Sequence, residues 1–124
     1  MANATVLRSW QRLSGTAFGR WLFSRLVCLK SPYFTSIRPV FDVLEPGRAA
    51  AHFRKRRAVC NHIGTVHAIA MANLCELVAG TVTEASLPVS MRWIPRGMQI
   101  AYLGKAETDI RAEATFPAID EGRA

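Results

Sequence analysis

The sequence predicts an α+β domain organised around one buried helix. Three observations carry this. Residues 66–79, VHAIAMANLCELVA, are apolar on almost every helical face, and a helix apolar all round belongs in a core. Segments of alternating apolar residues lie on either side of it, the mark of strands with one buried face. The 124 residues, half of them hydrophobic, suit one domain with one core and exclude a disordered chain.

In chain order, Val6, Trp10, Leu13, Phe18, Leu22, Leu26 and Leu29 recur at helical spacing with arginines between them. They predict one or two amphipathic helices over about residues 5–29, broken at Ser14-Gly15-Thr16. Residues 1–30 then form a helical segment packed on a domain of residues 31–124; the alternative for this segment is a surface helix that touches lipid or a partner. Ser31-Pro32 breaks the pattern. Thr35 to Leu44 reads as a strand with Ile37, Phe41 and Val43 on one face. Glu45-Pro46-Gly47-Arg48 fits a type II turn, with Pro and Gly at its centre. Ala49 to Arg56 returns as the partner strand of a hairpin. Thr65 is the expected N-cap of the central helix and Gly80 its expected end. Leu87 to Ile94 reads as a strand, closed by Pro95-Arg96-Gly97-Met98. Gln99 to Phe116 reads as a second, longer strand bent near Gly104. Asp120-Glu121-Gly122 opens a hairpin turn whose return strand is missing. Internal repeats and low-complexity linkers are absent from the sequence.

Sixteen Lys and Arg against nine Asp and Glu give a net charge of +7. That charge attracts anions: phosphorylated small molecules, nucleic acid or anionic lipid. The densest run, Arg54-Lys55-Arg56-Arg57, is short, lacks interleaved aromatics and falls in a predicted strand, so it reads as a solvated strand end and not as a nucleic-acid site. Cys28, Cys60 and Cys75 are odd in number and widely spaced, which predicts free thiols and a reducing cytoplasm, with Cys75 packed in the core helix. His62 and His67 are five apart and share no helical face, so no metal is expected. No cofactor motif is present. The apolar run carries His67, Asn73 and Glu76 and is shorter than the ~20 residues of a membrane span. Arg8, Arg12, Arg20 and Arg25 interrupt any secretory signal.

The order helix, hairpin, loop, buried helix and long antiparallel strands resembles a hotdog fold, a sheet wrapped round one helix. A motif sharpens the resemblance. Thioesterases similar to the phenylacetate-pathway enzyme place an Asn at the head of a loop, then Gly-Thr, then His-Gly-Gly at the helix start, then an acid within the helix. Asn61, Gly64-Thr65, His67 and Glu76 stand at those places, Glu76 nine residues after His67 and fifteen after Asn61. Ala68-Ile69 departs from Gly-Gly; it keeps the Ala68 N–H and narrows the room beside it. The stretches Thr83 to Pro88 and Trp93-Ile94-Pro95 resemble a bacterial hotdog branch of largely unassigned function. The resemblance runs from about Ile37 to Phe116 and implies one or two further strands beyond it.

The resemblance implies hydrolysis of an acyl-CoA or another acyl thioester. The first N–H groups of a helix lack intrahelical partners and lie at its positive end, a place suited to the carbonyl oxygen that gains charge on attack. Ala68 N–H is the candidate donor. Asn61 contacts the same oxygen or holds the attacking water, and His67 orders the loop. Glu76 is the candidate general base or nucleophile. Gly64 and Thr65 shape the loop, and Arg54, Arg56, Arg57, Arg92 and Arg96 are candidates for the coenzyme A phosphates. Ala68 and Glu76 are eight residues apart, about 12 Å along the helix axis, so both act on one carbonyl only if Glu76 faces the helix start of another subunit. A homodimer or higher homo-oligomer is therefore expected. The competing readings are a non-catalytic acyl or acyl-CoA binder, favoured by Ala68-Ile69, and a dehydratase that uses His67 with the acid.

Overall fold

The computed structural model describes residues 2–88 and 90–117. Two helices open the chain, α1 (Ala2–Leu13) and α2 (Ala17–Lys30). The break between them falls at Ser14-Gly15-Thr16, where Thr16 caps α2 by accepting from the Gly19 N–H at 2.9 Å. Gly19 is buried against the end of α1, where a Cβ would lie 1.7 Å from the Leu13 carbonyl oxygen. No larger residue fits that approach.

A 3₁₀ helix, Pro32–Ile37, follows, with Pro at its start. It takes residues expected in a strand. Arg38 then turns through φ 48°, and only after buried Pro39 does β1 (Val40–Glu45) begin. The turn at Pro46-Gly47 has the expected form, with Gly47 at φ 90°. It leads into β2 (Arg48–Phe53), which ends before Arg54 and so leaves the basic run outside the sheet. The β1–β2 register shifts between Phe41 and Val43. This bulge turns Phe41 and Leu44 inward together, where strict alternation would have chosen Val43.

The central helix α3 (Ala68–Ser86) runs six residues past Gly80. Its cap is His67 and not Thr65. Beyond it, β3 (Ile110–Thr115) pairs antiparallel with β2, giving the sheet order β1-β2-β3. Among the described residues the strand expected over 87–94 does not form, and of the longer one expected over 99–116 only residues 110–115 do. A strand needs a neighbour for its backbone groups, and the other residues of these two stretches join neither edge strand of the sheet, β1 or β3. Pro88, Pro95, Gly97 and Gly104 punctuate the same stretch. The Asp120-Glu121-Gly122 turn lies outside the described residues.

The core forms where α3 crosses the inner face of the sheet. Leu74, Leu77, Val78, Val82 and Ala85 of α3 meet Phe41, Leu44, Ala49, Ala51 and Phe53. The run of alanines in β2 lets the helix lie close. Trp10, Phe23 and Phe41 join α1, α2 and β1 in an edge-to-face series with centroids 5.1 and 5.5 Å apart, worth about 0.5–1.5 kcal/mol per pair beyond burial. Ser24 adds a polar tie: its buried hydroxyl donates to the Arg20 carbonyl and accepts from the Phe41 N–H, both at 2.8 Å.

Only one face of α3 is buried. Ile69, Cys75, Glu76 and Ala79 are exposed in the single chain, because three strands cover one side of a helix. Cys75 is therefore not a core residue. Cys28 is the buried thiol, and burial pushes its pKa above the usual 9.0, with Arg25 opposing. By length and mean hydropathy α3 alone among the described helices could cross a membrane. Its packing across all three strands makes it the core helix of this sheet.

Candidate active site

The loop from Asn61 to Thr65 closes on itself before α3. Cys60 and Val66 form an antiparallel bridge. The Asn61 N–H donates to the Thr65 carbonyl at 2.8 Å, and the Gly64 N–H to the Asn61 carbonyl at 3.1 Å. The Asn61 side chain is bound into the same loop. Its Oδ1 accepts from the Ile63 and Thr65 N–H groups, both at 3.1 Å, and its Nδ2 donates to Thr65 Oγ1 at 2.8 Å. This is an Asx turn. Thr65 is thereby held two residues short of the helix, and Val66 is buried with its N–H on the Ala106 carbonyl.

His67 takes the capping role. Its backbone is extended, and Nδ1 accepts from the Ile69 N–H at 3.0 Å. Accepting at Nδ1 places the ring proton of the neutral imidazole on Nε2. Ala68 is the first helical residue, and among the described residues its N–H meets no acceptor. Tyr102 donates to the Ala68 carbonyl at 3.0 Å, so the segment after α3 comes back over the helix start.

Glu76 lies two turns further on, at the exposed face, and lines a cavity of about 810 Å³. The cavity walls are largely apolar: Val6 of α1, Val27 of α2, Phe34, Leu77, Trp93 and Met98. Lys30, Glu84 and Arg96 supply its other charges. Of the expected site residues, the fold thus groups Asn61, Gly64, Thr65, His67 and Ala68 at the helix start and Glu76 with Arg96 in the cavity. Arg54, Arg57 and Arg92 are exposed and line no part of it. Arg56 is half-buried and bonds the Ser36 carbonyl.

Glu84, Trp93 and the contributions of α1 and α2 were not foreseen. One signal does exist in the sequence. Glu76, Gly80 and Thr83 recur at i, i+4 and i+7, a stripe of small and polar residues down an apolar helix. All three line the cavity. The contributions of α1 and α2 have no such local mark.

A three-stranded antiparallel sheet against one long central helix makes this an α+β protein of the hotdog kind, thioesterase-like in its likeness to solved structures. The chain belongs to the family described as "Domain of unknown function (DUF4442)", which matches residues 19–124. A crystal structure described as genomics APC5556 is 48% identical, with a TM-score of 0.78 over 91% of this chain and 74% of that one. A Pseudomonas aeruginosa protein of unknown function, PA5026, described as a probable thioesterase, is 28% identical, with a TM-score of 0.69. That match covers 77% of this chain and 64% of PA5026, so this chain spans just under two thirds of that relative's length. Among curated proteins none matches.

Proposed function

We propose that this chain hydrolyses an acyl thioester, with coenzyme A as the carrier, in the manner of the phenylacetate-pathway thioesterases. The observation that carries the proposal is the position of Glu76. It is a carboxylate on the uncovered face of the core helix, at the wall of a largely apolar cavity of about 810 Å³. In this reading the cavity takes the acyl group and Arg96 faces the carrier. The Ala68 N–H, at the positive end of α3, donates to the carbonyl oxygen as it gains charge. Glu76 removes a proton from water as it attacks, or attacks the carbonyl itself. The helical rise of about 12 Å between the two groups requires that they come from different copies, so the working unit is a homodimer with α3 against α3.

Assay of an acyl-CoA panel with wild type and Glu76→Gln tests this. The expected result is thiol release by wild type and a loss of at least about a hundredfold in Glu76→Gln, with the circular dichroism spectrum unchanged. Turnover that survives the substitution overturns the mechanism.

One observation favours a second reading, a non-catalytic acyl-CoA binder. The Asn61 side chain is consumed by its own loop, which leaves Ala68 as the single oxyanion donor of the motif. Saturable binding across the panel with no hydrolysis would select this reading. The dehydratase reading is the least supported, since His67 spends Nδ1 on the helix cap.

A further inference from the structure

The outward face of α2 is as apolar as its inward face. Phe23, Ser24 and Cys28 point into the molecule. On the other side Phe18 is 69% exposed, Trp21 47%, Leu26 45% and Leu29 76%, and Tyr33 just beyond the helix is 65% exposed. The Phe18 and Trp21 rings lie against one another at 5.7 Å. A helix apolar on both sides is covered on both sides in its working state.

Charge decides what covers it. The first 41 residues hold six Lys and Arg and no Asp or Glu. Arg25 lies in the apolar stripe itself, four residues from Trp21 and four from Leu29. Two copies meeting α2 against α2 would bring two cationic segments together, with no carboxylate in either to pair with their arginines. An anionic bilayer surface supplies both needs: acyl chains for the aromatic and leucine side chains, and phosphates for Arg25. We propose that α2 docks this protein on anionic membrane surfaces, lying in the interface plane with Phe18, Trp21, Leu26 and Leu29 inserted. The helix lies on the bilayer and does not span it: its 14 residues reach about 21 Å against the ~30 Å of a hydrocarbon core.

Flotation of the full chain with phosphatidylglycerol-containing and pure phosphatidylcholine vesicles tests this. Binding to the anionic vesicles is expected, with little to the neutral ones, and it weakens as salt is added. A blue shift of emission on binding is expected to vanish in Trp21→Phe. The double variant Phe18→Ser, Leu29→Ser is expected to bind at least about tenfold more weakly. Both side chains point outward, so its circular dichroism should match wild type; if it does not, Arg25→Glu makes the same test. Three results overturn the proposal: no binding to anionic vesicles at low salt; binding undiminished in the folded variants, which reduces it to attraction of a cationic chain; or sedimentation showing an oligomer that the double variant dissociates, which makes this face a contact between copies.

Discussion

Two side chains at the residue scale carry more of the structure than their size suggests. Ser24 is a buried hydroxyl in α2 whose two bonds join that helix to β1. In Ser24→Ala the Phe41 N–H is left buried without an acceptor, which costs about 1–3 kcal/mol. Urea unfolding should show that loss, with an unchanged slope. Asn61 shows the other side of such bonding: three of its amide's bonds serve the loop that precedes α3. The motif around Asn61, Thr65 and His67 was legible because its members are close in sequence. The exchange of roles, with His67 capping where Thr65 was expected, was not. Either residue can cap a helix, and only the bridge between Cys60 and Val66 and the Val66 bond to Ala106 decide which does.

Elements were legible in proportion to how local their causes are. The break at Ser14-Gly15-Thr16 and the hairpin at Pro46-Gly47 depend on turn chemistry and appear where the sequence puts them. Gly47 sits at φ 90°, so Gly47→Ala should cost about 1–2 kcal/mol, read as a fall in the thermal midpoint. The helix end was misjudged because Gly inside a helix costs only about 1 kcal/mol, less than burial of Val82 and Ala85 returns. The bulge in β1 leaves no trace in a period-two pattern. The alternation in residues 99–109 is real, yet a strand is a relation between two segments, and a sequence shows one at a time.

The central question for the whole molecule is what lies over the uncovered face of α3. On the proposed reading that face meets a second copy, and each site draws Ala68 from one chain and Glu76 from the other. Complementation distinguishes this from a site within one chain. Ala68→Pro removes the N–H at a position where a helix tolerates Pro, and Glu76→Gln removes the acid. Each alone should be inactive. Mixed and exchanged in equal amounts, they should regain about a quarter of wild-type activity, since half the dimers then hold one intact site; no recovery places both groups in one chain. A different long-range dependence is set at the hairpin corner. The Gly47 N–H donates to Ser86 Oγ at the end of α3, and its carbonyl accepts from Phe116 beyond β3. The turn itself is local, but its corner is not tied to α3 and the segment beyond β3 until residues 39 and 69 positions downstream have both arrived. The rate of folding is then governed by the encounter of distant parts of the chain, and the interval before closure is when the alanine-rich middle strand stands open to the wrong neighbour.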